Sequence, residues 1–126
     1  MNQSHHEDDE QAAVFEWAAF IPELKWLHAI PNGGNRAPRE AARLKRQGVK
    51  KGVSDLFLPL PAGEYHGCYI EMKRSPKQGR ARASSDQMEF IADVRKAGYF
   101  ATVCFGADQA IDELKRYIQI FRAGIR

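Results

Sequence analysis

Apolar residues recur along this chain with two different periods, and the switches between them lay out the elements. From Glu7 to Phe20, Val14, Trp17 and Ala18 fall at spacings of three and four, which predicts a helix that Pro22 stops. The short apolar run Trp26–Ile30, closed by Pro31-Asn32-Gly33-Gly34-Asn35, reads as a strand and a turn. Pro38 suits a first helical turn, and Arg39 to Gln47 reads as a helix stopped by Gly48. Val53–Leu58 and Gly67–Lys73 read as two strands joined by a loop containing Pro59, Pro61 and Gly63. Ser84-Ser85-Asp86-Gln87 resembles a capping box opening a helix to about Lys96, with Met88, Ile91, Ala92 and Arg95 in phase. Tyr99–Phe105 reads as a strand rich in aromatic and β-branched residues. Asp108–Phe121 reads as a last helix, with Ile111, Leu114, Ile118 and Phe121 on one face. Residues 1–6 read as a frayed terminus and 74–83, basic and without an apolar anchor, as a mobile loop. The order predicts an α/β domain, a mixed central sheet flanked by helices.

Composition narrows the class. The 126 residues suffice for one domain, 1–126, and 44% hydrophobic with 28% charged is ordinary for a globular protein. No apolar run approaches the ~20 residues of a membrane span, and MNQSHHEDDE has no apolar core for a secretory signal. Cys68 and Cys104 lie in apolar stretches without metal-ligand spacing, so a reduced, intracellular protein is expected. The net charge of +3 conceals an asymmetry, because between Arg36 and Arg82 twelve bases stand against four acids. That segment fits a polyanionic partner such as nucleic acid, or simply a solvated Lys/Arg-rich surface.

The chemistry concentrates in Gly52-Val53-Ser54-Asp55 and Tyr69-Ile70-Glu71-Met72-Lys73. Strand side chains alternate, so Glu71 and Lys73 share a face with Cα atoms roughly 7 Å apart, while Cys68, Ile70 and Met72 take the core face. A hairpin of this length brings Asp55 opposite Glu71. Burying these charges together is costly unless something compensates, and a hard divalent cation with oxygen ligands would do so. Such a site polarises a phosphodiester, and Lys73 would orient or deprotonate the attacking water or neutralise the phosphate. The plain alternative is a surface Glu71–Lys73 salt bridge on an edge strand.

These two segments resemble the PD-(D/E)XK nuclease superfamily. More closely, the chain is similar to the virus-type replication-repair nuclease (VRR-NUC) domain in its small stand-alone phage and bacterial form. The likeness takes in Ile30 to Arg36, Leu44-Lys45-Arg46-Gln47-Gly48, Ser84/Ser85 to Gln87, and Gly98-Tyr99. It departs at Ser54, where the family usually has proline. The resemblance implies a restriction-endonuclease-like fold and a Mg²⁺- or Mn²⁺-dependent endonuclease acting on DNA. Asp55, Glu71 and the backbone carbonyl of Met72 would hold the metal, and Lys73 would be the catalytic lysine. A helix-1 glutamate is expected as well, Glu7 fitting best with Glu10 as its rival. Gln87 would lie beside the site, or serve only as a cap. Phosphate contacts would come from Asn35, Arg36, Arg39, Arg43, Lys45, Arg46, Lys50 and Lys51. Of these, Arg39, Arg43 and Arg46 share a helix face.

The same resemblance implies branched DNA as substrate (four-way junctions, flaps or forks, met in replication, repair or recombination) and a homodimer, since symmetric cutting of a junction needs two sites. It places the protein in the cytoplasm of a bacterial or phage-infected cell. The apolar face of the last helix is either part of the dimer interface or core. Two rivals stay open: a silent DNA-binding module, disfavoured by the intact Asp55, Glu71 and Lys73, and a nuclease acting on RNA. Packing or disorder accounts more simply for His5, His6 and His28. Tyr65 is a candidate for base stacking, whereas Tyr69 fits the core better.

Overall fold

The computed structural model describes residues 3–31 and 37–125, with side chains from residue 6 onward. Chain order runs α1 (Gln3–Ala18), β1 (His28–Ala29), α2 (Pro38–Arg46), β2 (Leu56–Leu58), β3 (Cys68–Lys73), α3 (Ser85–Lys96), β4 (Phe100–Phe105) and α4 (Ala107–Ala123). The four strands form one sheet in the order β1-β2-β3-β4. The first two pairings are antiparallel and β3–β4 is parallel, joined through α3. This is the mixed sheet flanked by helices that the alternation of periods predicts.

Alternation along β3 sorts the two faces. Cys68, Ile70 and Met72 join Leu56, Leu58 and Cys104 in a core with Val14 and Ala18 of α1 and Ala110, Leu114, Tyr117 and Ile118 of α4. Burying a leucine as completely as Leu56 or Leu114 contributes roughly 1.5–3 kcal/mol. The Tyr117 hydroxyl, carried into this core, donates to the Leu60 carbonyl at 2.6 Å. The stripe Ile111, Leu114, Ile118 and Phe121 is therefore core: Leu114 and Ile118 are buried, and Ile111 and Phe121 are half-buried against the same cluster. It is not a free face for a second subunit. On the other side of the sheet, α3 packs over Tyr69 and Glu71. Phe90 meets the Tyr69 ring edge-on at 5.0 Å, and Gln87 reaches Glu71.

Several boundaries differ from the pattern reading. The first helix begins at Gln3, four residues before Glu7 and inside the stretch read as frayed, and it ends at Ala18 rather than Phe20. Its opening turn is polar and carries no apolar phase to read. The first strand shrinks to His28–Ala29, because Pro22–Leu24 and its successor Lys25 form a 3-10 turn and Leu24 and Leu27 are drawn into the core. The next strand starts at Leu56 rather than Val53. Segment 74–83 contains a 3-10 turn, Pro76–Gln78, held by reciprocal Ser75–Gln78 capping. Hydrogen bonds rather than apolar contacts order it, which an apolar pattern does not reveal. Among the described residues no helix is long and apolar enough to cross a membrane.

Candidate active site

Register places the acids. The β2–β3 rungs are Leu56↔Ile70, Phe57↔Tyr69 and Leu58↔Cys68, so one step further Asp55 stands against Glu71. Backbone pairing ends there, and the Asp55 side chain takes over: its Oδ2 accepts the Met72 N–H at 2.7 Å. In a strand the N–H and C=O of one residue point to the same edge, so the Met72 carbonyl is directed to the Asp55 side as well. The Asp55 backbone carbonyl accepts from Ile30 N–H at 2.7 Å, tying the acid to the first strand.

Glu71 is only 2% exposed, the most deeply buried acid among the described residues. Gln87 Nε2 donates to its Oε2 at 3.2 Å, and Lys73 Nζ stands 3.9 Å from the same oxygen. Oε1 is buried without a partner. Burial first, then the Asp55 carboxyl and more weakly Glu7, push the Glu71 carboxyl up to about 9, and Lys73 offsets only part of this. A buried acid held against another acid, with an orphaned oxygen, is a donor set suited to a cation.

Gln87 does two things at once. Its Oε1 accepts the Ser84 N–H at 2.8 Å and the Ser84 hydroxyl accepts the Gln87 N–H at 3.2 Å, completing the capping box of α3. The amide nitrogen left over holds Glu71. The same side chain thus caps α3 and touches Glu71.

The rival glutamates separate. Glu7 lines the cleft that holds Asp55, Glu71, Lys73 and Gln87, a cavity of about 780 Å³. Glu10, one turn on, instead accepts the Ala107 N–H through Oε2 and anchors the start of α4. Gly52, at φ +92°, packs this edge of the cleft against α3; a Cβ there would stand 2.6 Å from the Asp86 carbonyl oxygen.

The basic segment divides too. Lys45, Lys50 and Lys51 line the cleft, with Ala41 and Leu44 of α2 beside them. Lys51 also pairs with Asp86 at 3.3 Å. Arg39, Arg43 and Arg46 lie about half a helical turn from Ala41, Leu44 and Lys45, so they face away from the cleft. Arg43 pairs there with Glu40 at 3.4 Å. Asn35 and Arg36 lie outside the described residues. His28 is exposed, edge-on to Phe57 at 5.8 Å, and Tyr69 stacks on Phe57 at 4.4 Å. Tyr65 lies against Phe100 and Tyr117, away from the acids.

The VRR-NUC domain model matches residues 1–108. The chain belongs to the VRR-NUC family. A solved structure described as a VRR_NUC domain protein is similar at a TM-score of 0.78 and 34% identity, over 90% of this chain and 88% of that one. Comparison with curated proteins gave no match. The fold is accordingly PD-(D/E)XK-like, and membership places the chain among nucleases. Where VRR-NUC proteins usually carry proline, Ser54 is fully buried and its hydroxyl has no partner.

Among polar side chains, one cleft residue and one neighbour escaped the pattern reading. Ser84, expected only as a cap, also lines the cleft. Arg74, directly after the Glu71-Met72-Lys73 segment, is buried although it belongs to a stretch read as mobile loop. Nothing in its local sequence marks it, since a basic residue in a basic loop is expected in solvent.

Proposed function

We propose that this VRR-NUC chain is a Mg²⁺- or Mn²⁺-dependent endonuclease that hydrolyses DNA phosphodiesters. The observation that carries the reading is the opposition of Asp55 and Glu71, with one Glu71 oxygen buried and unpartnered and Lys73 on the same face. The donor set fits a hard divalent ion, which takes one or two carboxylates and keeps waters for substrate. Asp55, Glu71 and the Met72 carbonyl would hold it. Among the described residues no group of three or more His, Cys, Asp or Glu is placed to hold a metal ion, so an ion here would rest on two carboxylates and a backbone carbonyl. Bound there, the ion supplies Lewis-acid polarisation of the scissile phosphate and neutralises charge that builds in the transition state.

The chain's own residues do the rest. Gln87 fixes the Glu71 carboxylate through one oxygen and so sets the direction of the other. Lys73, 12% exposed at the cleft wall, is placed to orient the attacking water or to neutralise a phosphate oxygen. Glu7 adds a carboxylate at the rim, able to accept a proton or hold a water. Lys45, Lys50 and Lys51 draw the backbone in; such contacts position a nucleic acid without reading its bases.

This supports selection by shape, and branched DNA is the substrate we propose. Paired cuts at a four-way junction need two sites, so a two-fold dimer belongs to the same proposal, formed through a surface other than the buried α4 stripe. Cys68 and Cys104, both free, suit the reducing cytoplasm proposed as its setting. The test is a panel of four-way, flap, fork and linear DNA, with single-stranded RNA, incubated with Mg²⁺, Mn²⁺, Ca²⁺ or EDTA. Branched DNA is expected to be cut in Mg²⁺ or Mn²⁺ only, and Asp55→Asn and Glu71→Gln are expected to bind it without cutting. Cleavage in EDTA, or a Glu71→Gln variant as active as wild type, contradicts the proposal.

A further inference from the structure

Arg74 is a cation in the wrong place for a protein standing alone. Its residue is 9% exposed, its Nε is buried without a hydrogen-bond partner, and it has no ion pair with a described carboxylate. A guanidinium so enclosed, with no described carboxylate beside it, is costly, and an anion arriving from outside would compensate it. The loop is shaped around it. Gly79 turns at φ +114°, a conformation that favours glycine, and lays its backbone against the guanidinium; a Cβ there would stand 3.4 Å from Nε.

The guanidinium borders a cavity of about 820 Å³ that Arg80, Arg82, Lys73, Phe105 and Glu7 also line. Four cations face one carboxylate. Lys73 and Glu7 line the catalytic cleft as well, so the two cavities share a wall and a chain passing Lys73 enters the arginine pocket. The planar fork of arginine matches two oxygens of a phosphate, and Arg80 and Arg82, both exposed, can close on the others.

We propose that Arg74, with Arg80 and Arg82, forms a second phosphate site that grips a non-scissile phosphate of the strand being cut and so sets which bond lies over Asp55 and Glu71. The proposal rests on the nuclease reading above. Arg74 is a positioning residue in it, not a catalytic one. The phosphate can come from an internal linkage or from a strand end; both present the same oxygens.

The test walks a single neutral methylphosphonate linkage through a branched DNA substrate, outside the scissile position. A second arm compares ends with and without a terminal phosphate. Cleavage in Mg²⁺ and binding in EDTA are measured for wild type, Arg74→Gln and Arg74→Lys. For wild type, one non-scissile position is expected to weaken binding and cleavage by roughly 10- to 100-fold when neutral. Arg74→Gln is expected to lose about as much on all-phosphate DNA and to become insensitive at that position. Arg74→Lys keeps charge without the fork and should fall between them, with scattered cut positions. Sensitivity to the terminal phosphate alone assigns the site to a strand end. If Arg74→Gln does not fold by circular dichroism, the Arg80→Gln/Arg82→Gln pair, changed at exposed positions, reads the same coupling. Equal sensitivity of wild type and variants at every position overturns the proposal. Should wild type cut nothing, the nuclease reading fails, and the EDTA binding arm still decides the phosphate site.

Discussion

Replacing Glu71 by Gln should make the metal-free protein more stable at neutral pH, and the gain should grow with pH. Glu71 titrates near 4.5 when unfolded and near 9 in the fold. Between those values the folded chain holds a proton that the unfolded chain has released, so stability is fully present below about 4.5 and is lost as pH rises toward 9. One pH unit of this difference is worth about 1.4 kcal/mol, so at pH 7 the loss relative to acid is about 3 kcal/mol. That is a large share of a typical total of 5–15 kcal/mol. The assay is urea unfolding in EDTA at pH 5, 6, 7 and 8. Glutamine keeps the shape and the Gln87 interaction but cannot titrate. The wild-type curve should fall relative to Glu71→Gln by about 1.4 kcal/mol per pH unit. Mg²⁺ should restore wild type, increasingly at high pH, and leave Glu71→Gln little changed. Parallel pH curves for the two proteins in EDTA would refute the reasoning, because Glu71 would then be an ordinary solvated acid.

Lys73→Met keeps the aliphatic stem and removes the ammonium; single-turnover cleavage should fall on the order of 10²–10⁴-fold while DNA binding in Ca²⁺ changes little. Gln87→Ala should cost about 1–2 kcal/mol in thermal unfolding through the broken cap, and cleavage should fall further than in Ser84→Gly, which weakens the same cap and spares the hydrogen bond to Glu71. The salt dependence of binding should report the cleft lysines: Lys45→Gln with Lys50→Gln lowers the log–log slope by about 0.9 for each duplex phosphate that is no longer neutralised, whereas Arg39→Gln with Arg43→Gln and Arg46→Gln changes it less.

What the sequence discloses about a residue depends on where that residue's neighbours come from. Asp55 and Glu71 are legible because strand alternation and hairpin closure are short-range geometry, and the register needed only one step beyond Leu56↔Ile70. The resemblance favours Glu7, but apolar periodicity does not separate it from Glu10, since both sit on polar turns; the fold shows that α4 begins beside Glu10. The shared face of Arg39, Arg43 and Arg46 is a correct helical reading, but the direction of that face depends on how α2 lies over the cleft. The apolar stripe of α4 looks the same in sequence whether it meets a sheet or a second subunit. Arg74 is the least legible, because the turn that packs against it is closed by Ser75, Gln78 and Gly79, which no apolar period announces.

The double engagement of Gln87 has a consequence for the history of each molecule. The amide that closes the first turn of α3 is the one that holds Glu71, and α3 is the crossover between the parallel strands β3 and β4. A chain emerging during synthesis presents Asp55, Glu71 and Lys73 well before Gln87 is available and its helix has wound. Until that crossover forms, Glu71 lacks the contact that fixes its direction, although the hairpin already holds Asp55. On the nuclease reading proposed above, a nascent or half-unfolded copy lacks a finished site, and the capacity to cut would come only with the complete fold.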